Sequence, residues 1–166
     1  MPEISFVYDR TQTDLEKASY LINKVKTEGF EHLTPIESEE WNKGLKACRN
    51  ASDLNRIENA CSIIAEQLKS ANILTSEITT KTNWTYSDVP SRSDIQNILS
   101  NVDILRSAIL KYYPNIIRVP NNPINTIEKL NNIEKILYEV YNITNIIFTD
   151  RQVCGESYLC NDDRLI

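Results

Sequence analysis

Residues 54–71 read LNRIENACSIIAEQLKSA. Leu54, Ile57, Cys61, Ile64, Leu68 and Ala71 recur at the three-four spacing of a heptad seam, which predicts a helix with one buried stripe. The pattern returns after a shift of 76 positions (130 − 54): Leu130, Ile133, Leu137, Val140, Thr144 and Ile147 form a second seam. Between them lies a third, Ile95, Ile98, Val102, Leu105, Ile109 and Tyr112. Three seams in one chain predict an all-α bundle, because each apolar stripe needs others to cover it.

The echo extends to polar residues. Asn55 and Glu58 of LNRIE match Asn131 and Glu134 of LNNIE, each one position past a seam residue and so on the border of the buried stripe. Three readings compete. The plainest is that an Ile- and Asn-rich chain fills two similar seams alike. The second is that these side chains hydrogen-bond the main chain of extended segments crossing the helices, since buried main-chain groups need partners. The third is acid–base catalysis by paired carboxylates, which also needs a cleft and a raised acid pKa that the pattern does not suggest.

Helix punctuation completes the outline. Thr11 with Asp14 starts a first helix over 12–28, ended by Gly29. Thr34, Pro35 and Glu37 start a short second one running to about Cys48. Asn50 or Ser52 caps the third, Ser91 with Asp94 the fourth, which Pro114 stops, and the fifth begins near Asn125. Residues 75–90, TSEITTKTNWTYSDVP, read as extended chain over the helices with room for a short strand. Trp84 at its centre is either a latch onto its own bundle or an exposed anchor for a partner. Trp41 is expected in the core. The expected organisation is a helical domain over 1–148, made of an N-terminal pair (1–49) and a main bundle (50–148), then a tail over 149–166. Tyr158 and the apolar residues of that tail make it a candidate docking element.

Composition excludes several classes. A net charge of −5 without a basic patch argues against nucleic acid, and no apolar run reaches the roughly 20 residues of a membrane span. The first 30 residues lack the apolar stretch of a signal peptide, so synthesis in a cytoplasm is expected. Free thiols then follow for Cys48, Cys61, Cys154 and Cys160, with a Cys154–Cys160 bridge as the alternative. His32 is too isolated for a zinc set, and there is no Gly-rich phosphate loop, HExxH or G-x-S-x-G. Neither an enzyme nor a cofactor is expected, and a helical adaptor or regulator is an alternative to the reading that follows.

Four stretches in order, Asp9–Gln12, GLKACRNASDLNRIENA from Gly44, TKTNWTYSDVP from Thr80 and LNNIEKIL from Leu130, resemble a family of minor structural proteins. These belong to tails and baseplates of phages, prophages and phage-tail-like particles of Gram-positive bacteria. Cys154–Glu156 and Tyr158 resemble the family's closing segment, while Asn83 stands where the family has aspartate and Cys48 where it has a small residue. The resemblance implies a particle component in several copies, contacting other tail or baseplate proteins, with no activity or cofactor. It implies synthesis in the bacterial cytoplasm followed by incorporation into a particle.

Overall fold

The computed structural model describes the backbone of residues 4–156, and the side chains through Ile147 together with Thr149. Among these residues five α-helices form: α1 (Gln12–Glu28), α2 (Pro35–Lys43), α3 (Ala51–Ser70), α4 (Arg92–Ile109) and α5 (Ile127–Glu156). A single 3-10 turn, Phe30–His32, follows α1, and no strand is present among the described residues, so 75–90 is extended without pairing. The chain is all-α.

Capping chemistry places the starts. Thr11 accepts the backbone N–H of Asp14 and Asp14 returns to Thr11 N–H at 2.8 Å, a reciprocal box repeated by Thr34 with Glu37 and by Ser91 with Asp94. At α3 the Asp53 carboxylate takes the N–H of Asn50 at 3.1 Å, so Asn50 and not Ser52 is the cap. Helix α5 starts two residues later than Asn125 predicts (127 − 125), because Thr126 Oγ accepts the N–H of Lys129 at 3.2 Å.

Three ends differ from expectation, and α4 is the first: it closes at Ile109 and gives way to turns before Pro114 is reached. Helix α2 stops at Lys43 and not near Cys48, because Gly44 takes φ +87°, a region that disfavours side chains, and donates its N–H to Trp41. A Cβ at Gly44 would lie 3.0 Å from Asn50 Nδ2, which is itself bonded to the Leu45 carbonyl. Helix α5 continues past Phe148 to Glu156, so the proposed tail from Thr149 begins as helix. No proline interrupts that stretch, and Gly155 costs only about 1 kcal/mol relative to alanine in a helix. The remainder of the tail, with Tyr158 and Cys160, lies outside the described residues.

Helices α3, α4 and α5 each pack against the other two. Their seams form the core: Leu54, Ile57, Ile64 and Leu68 of α3 meet Ile98, Val102, Leu105 and Ile109 of α4 and Ile133, Leu137 and Val140 of α5 in one buried cluster. Cys61 is buried in it as a free thiol whose pKa burial pushes up, while Cys48 is free and half-buried. Leu99 and Ile136, beside the predicted stripes, are buried too, because a helix touching two neighbours needs a wider apolar face. Tyr112, the last residue of the seam expected for α4, lies past the helix end and is exposed. Replacing Ile57 or Ile133 by alanine is expected to cost about 2–5 kcal/mol in denaturant unfolding, since both are fully enclosed. Losses below about 0.5 kcal/mol for both would show that these seams are not core.

Helices α1 and α2 give no residue to this cluster. They pair through Lys24 with Glu37 at 2.8 Å, and Phe30 meets the half-buried Trp41 edge-on at 6.4 Å. Ala18 and Leu21 of α1, and Leu33 in the connection to α2, are the buried apolar residues here.

Candidate functional site

The extended segments before α1 and between α3 and α4 lie on helices as straps, and the echoed residues hold them. On α3, Asn55 Oδ1 accepts the backbone N–H of Trp84 at 2.7 Å while Asn55 Nδ2 donates to the Trp84 carbonyl at 2.9 Å. One turn along, Glu58 accepts the backbone N–H of Lys81 at 2.8 Å and the indole N–H of Trp84 at 3.1 Å. On α5, Asn131 Oδ1 accepts the backbone N–H of Arg10 at 3.2 Å and Asn131 Nδ2 donates to the Arg10 carbonyl at 2.9 Å. Glu134 then accepts the backbone N–H of Val7 at 2.7 Å and the Arg10 guanidinium at 2.8 Å. Each asparagine reads both backbone groups of one anchor residue. Each glutamate reads the N–H of the residue three before the anchor and the anchor's side chain.

The straps match as closely as the helices. Val7, Arg10, Thr11 and Asp14 correspond to Lys81, Trp84, Thr85 and Asp88 after a shift of 74 positions (84 − 10). Asp88 accepts the backbone N–H of Thr85 at 2.7 Å and its hydroxyl at 2.8 Å, as Asp14 does for Thr11 at 2.8 and 2.9 Å. These bonds hold the carboxyls of Asp14 and Asp88 below their ordinary values. The chain is thus two similar halves: a strap, a helix, a connection and a clasping helix. The first half's strap lies on α5 of the second, and the second half's strap lies on α3 of the first. The correspondence breaks at the intervening helices, because α4 enters the core and α1 does not.

The two anchor sites differ in charge. Arg10 has no exposed side-chain surface, and it bridges Asp53 at 3.0 Å and Glu134 at 2.8 Å. Arg56 completes the group, meeting Glu134 at 2.7 Å and Asp53 as well. Burial opposes the charge on Arg56, but the two carboxylates outweigh it and hold its pKa above the ordinary value. Arg10 also donates to the carbonyls of Lys46, at 2.8 Å, and Val7, and to Asn131 Oδ1 at 3.4 Å. At the α3 site Trp84 is buried in the core cluster, with Lys81 Nζ 3.8 Å above its ring centroid, so this tryptophan is a latch onto its own bundle. Asn97 and Asn101 of α4 both donate to the Thr79 carbonyl at 2.8 Å, fixing the entry of that strap.

Burial raises the Glu58 carboxyl above its ordinary value, although the Lys81 and Trp84 donors pull the other way. A raised carboxyl binds its proton more tightly in the fold than in the unfolded chain. Its contribution is therefore full below the unfolded value and declines as pH rises through the folded one. Glu58→Gln is expected to flatten that decline, as read from denaturant midpoints across the acid range.

Asn55, Glu58 and Trp84 thus converge at one clasp, and Asn131 and Glu134 at the other, while Tyr158 lies outside the described residues. Sequence reasoning missed Arg10, Asp53 and Arg56. The shared Thr-x-x-Asp after each anchor was the signal that pairs Arg10 with Trp84. No group of His, Cys, Asp and Glu among the described residues is arranged to hold a metal, and no helix among them is long and apolar enough to cross a membrane.

Fold and site together define an all-α scaffold that binds its own extended segments through helix side chains. Comparison with protein-family models, curated proteins and solved structures gives no match.

Proposed function

We propose that the protein is a structural or assembly component of a phage tail, baseplate or related contractile injection particle, working by docking to neighbouring subunits or fibres. One observation carries this reading. The four stretches that resemble the tail and baseplate family coincide with the four parts of the two clasps: strap one, α3 with its approach, strap two and the start of α5. What the resemblance rests on is therefore the device that fixes extended chain on a rigid bundle. The buried carboxylates are occupied by main-chain N–H, indole and guanidinium donors, which suits holding and not turnover.

Docking falls to ordered, exposed apolar residues outside the helices. Tyr86 is 84% and Val89 90% exposed, on a turn that Thr85, Asp88 and Lys81 hold in place. Such residues gain by being covered, and the fixed turn lowers the entropy lost on binding. The test is co-purification of the protein with intact particles from the producing bacterium. The chain carrying Tyr86→Asp and Val89→Asp is expected to be lost from those particles while its Tm stays within about 2 °C, because neither residue is packed. A wild-type chain that never accompanies particles would sink the reading, and normal incorporation of the variant would remove this turn from it.

A further inference from the structure

We propose that the two clasps hold backbone in one way but select different anchors, arginine on α5 and tryptophan on α3, and that this selection sends each strap to the helix of the other half. The inference is independent of any particle. The backbone contacts cannot discriminate, because Asn55 and Asn131 read an N–H and a carbonyl, and Glu58 and Glu134 an N–H, that almost any residue supplies. The bonds from the threonine after each anchor to the aspartate three residues on are also shared, although they cap α1 after Arg10 and close a separate turn after Trp84. Only the anchor side chain and its surroundings distinguish the straps.

Those surroundings are complementary to one anchor each. Around Arg10 stand two carboxylates, Asp53 and Glu134, and one other cation, Arg56, so arginine brings the buried group to neutrality (−2 + 1 + 1). An indole there supplies one neutral donor and leaves a net negative charge enclosed. At Trp84 one carboxylate, Glu58, accepts the indole N–H, and the ammonium of Lys81 lies over the ring and is paired with Asp88 at 3.3 Å. A guanidinium in that place finds no second carboxylate as Arg10 does, displaces the paired Lys81 ammonium, and takes a charge into the apolar cluster to which the indole belongs. The residues that set the difference are Asp53 and Arg56. Their counterparts on α5 are Lys129 and Asn132, and the ammonium of Lys129 is turned to the carbonyls of Asn121 and Pro123.

Amide hydrogen exchange of the full chain reads each strap separately, at positions 7 and 10 and at positions 81 and 84. Arg10→Trp is expected to lower protection at 7 and 10 by about tenfold or more with 81 and 84 within about threefold, and Trp84→Arg to do the reverse. Wild-type protection of its own strap in either variant overturns the proposal. Shape-conserving changes on the helices guard against variants that unfold. Glu134→Gln, which unbalances two guanidiniums, is expected to loosen strap one by about a hundredfold, and Glu58→Gln, which sets its amide N–H against one of two neutral donors, to loosen strap two by about tenfold. Equal losses from the two glutamine variants also overturn it.

Discussion

Arg10→Met is expected to destabilise the chain by about 3–5 kcal/mol, the cost of breaking a buried ion pair from one side. Methionine keeps much of the stem but removes the donors to Asp53, Glu134 and the carbonyls of Lys46 and Val7. Arg56 alone then faces two carboxylates. The partner change tells charge from packing. Adding Glu134→Gln to Arg10→Met removes the uncompensated charge, so the double variant is expected to be less destabilised than the sum of the two single ones, by about 1–3 kcal/mol of coupling. Denaturant midpoints of the four chains supply the cycle, and simple additivity would mean that Arg10 and Glu134 are not coupled and that Arg10 acts through its packing and its other partners.

That network also marks the limit of what the sequence discloses. The seams of α3, α4 and α5 are legible because a helix buried on one side must repeat its apolar residues every three or four positions, and nearly every seam residue is buried. The starts at Thr11, Thr34 and Ser91 are legible because a cap is local chemistry within four residues. Asn55, Glu58, Asn131 and Glu134 stand out through repetition, yet repetition fits two similar seams as well as two clasps. Only the straps' position decides between them. Arg10 reaches Glu134 across 124 positions, and no local pattern encodes so distant a pairing. The ends of α2 and α5 are not legible for a related reason: Gly44 stops a helix by adopting positive φ, whereas Gly155 sits within one.

Trp84→Ala is expected to cost about 3–5 kcal/mol, in the range for a large aromatic removed from a core. Two contributions add within that figure, and Trp84→Phe separates them. Phenylalanine keeps a ring in the cluster and a face for Lys81, but it has no N–H for Glu58, whose enclosed carboxylate is left with the Lys81 backbone donor. Losing a partner at a buried polar group costs about 1–3 kcal/mol, so Trp84→Phe is expected to fall in that lower range and Trp84→Ala above it. The Glu58→Gln background sharpens the comparison. With the charge gone, an unmet acceptor is cheaper, and the penalty of Trp84→Phe is expected to shrink. Chemical denaturation of the three variants and the glutamine pair measures this. If Trp84→Phe costs the same whether residue 58 is glutamate or glutamine, the indole N–H contributes nothing specific and Trp84 holds the strap by its apolar surface alone.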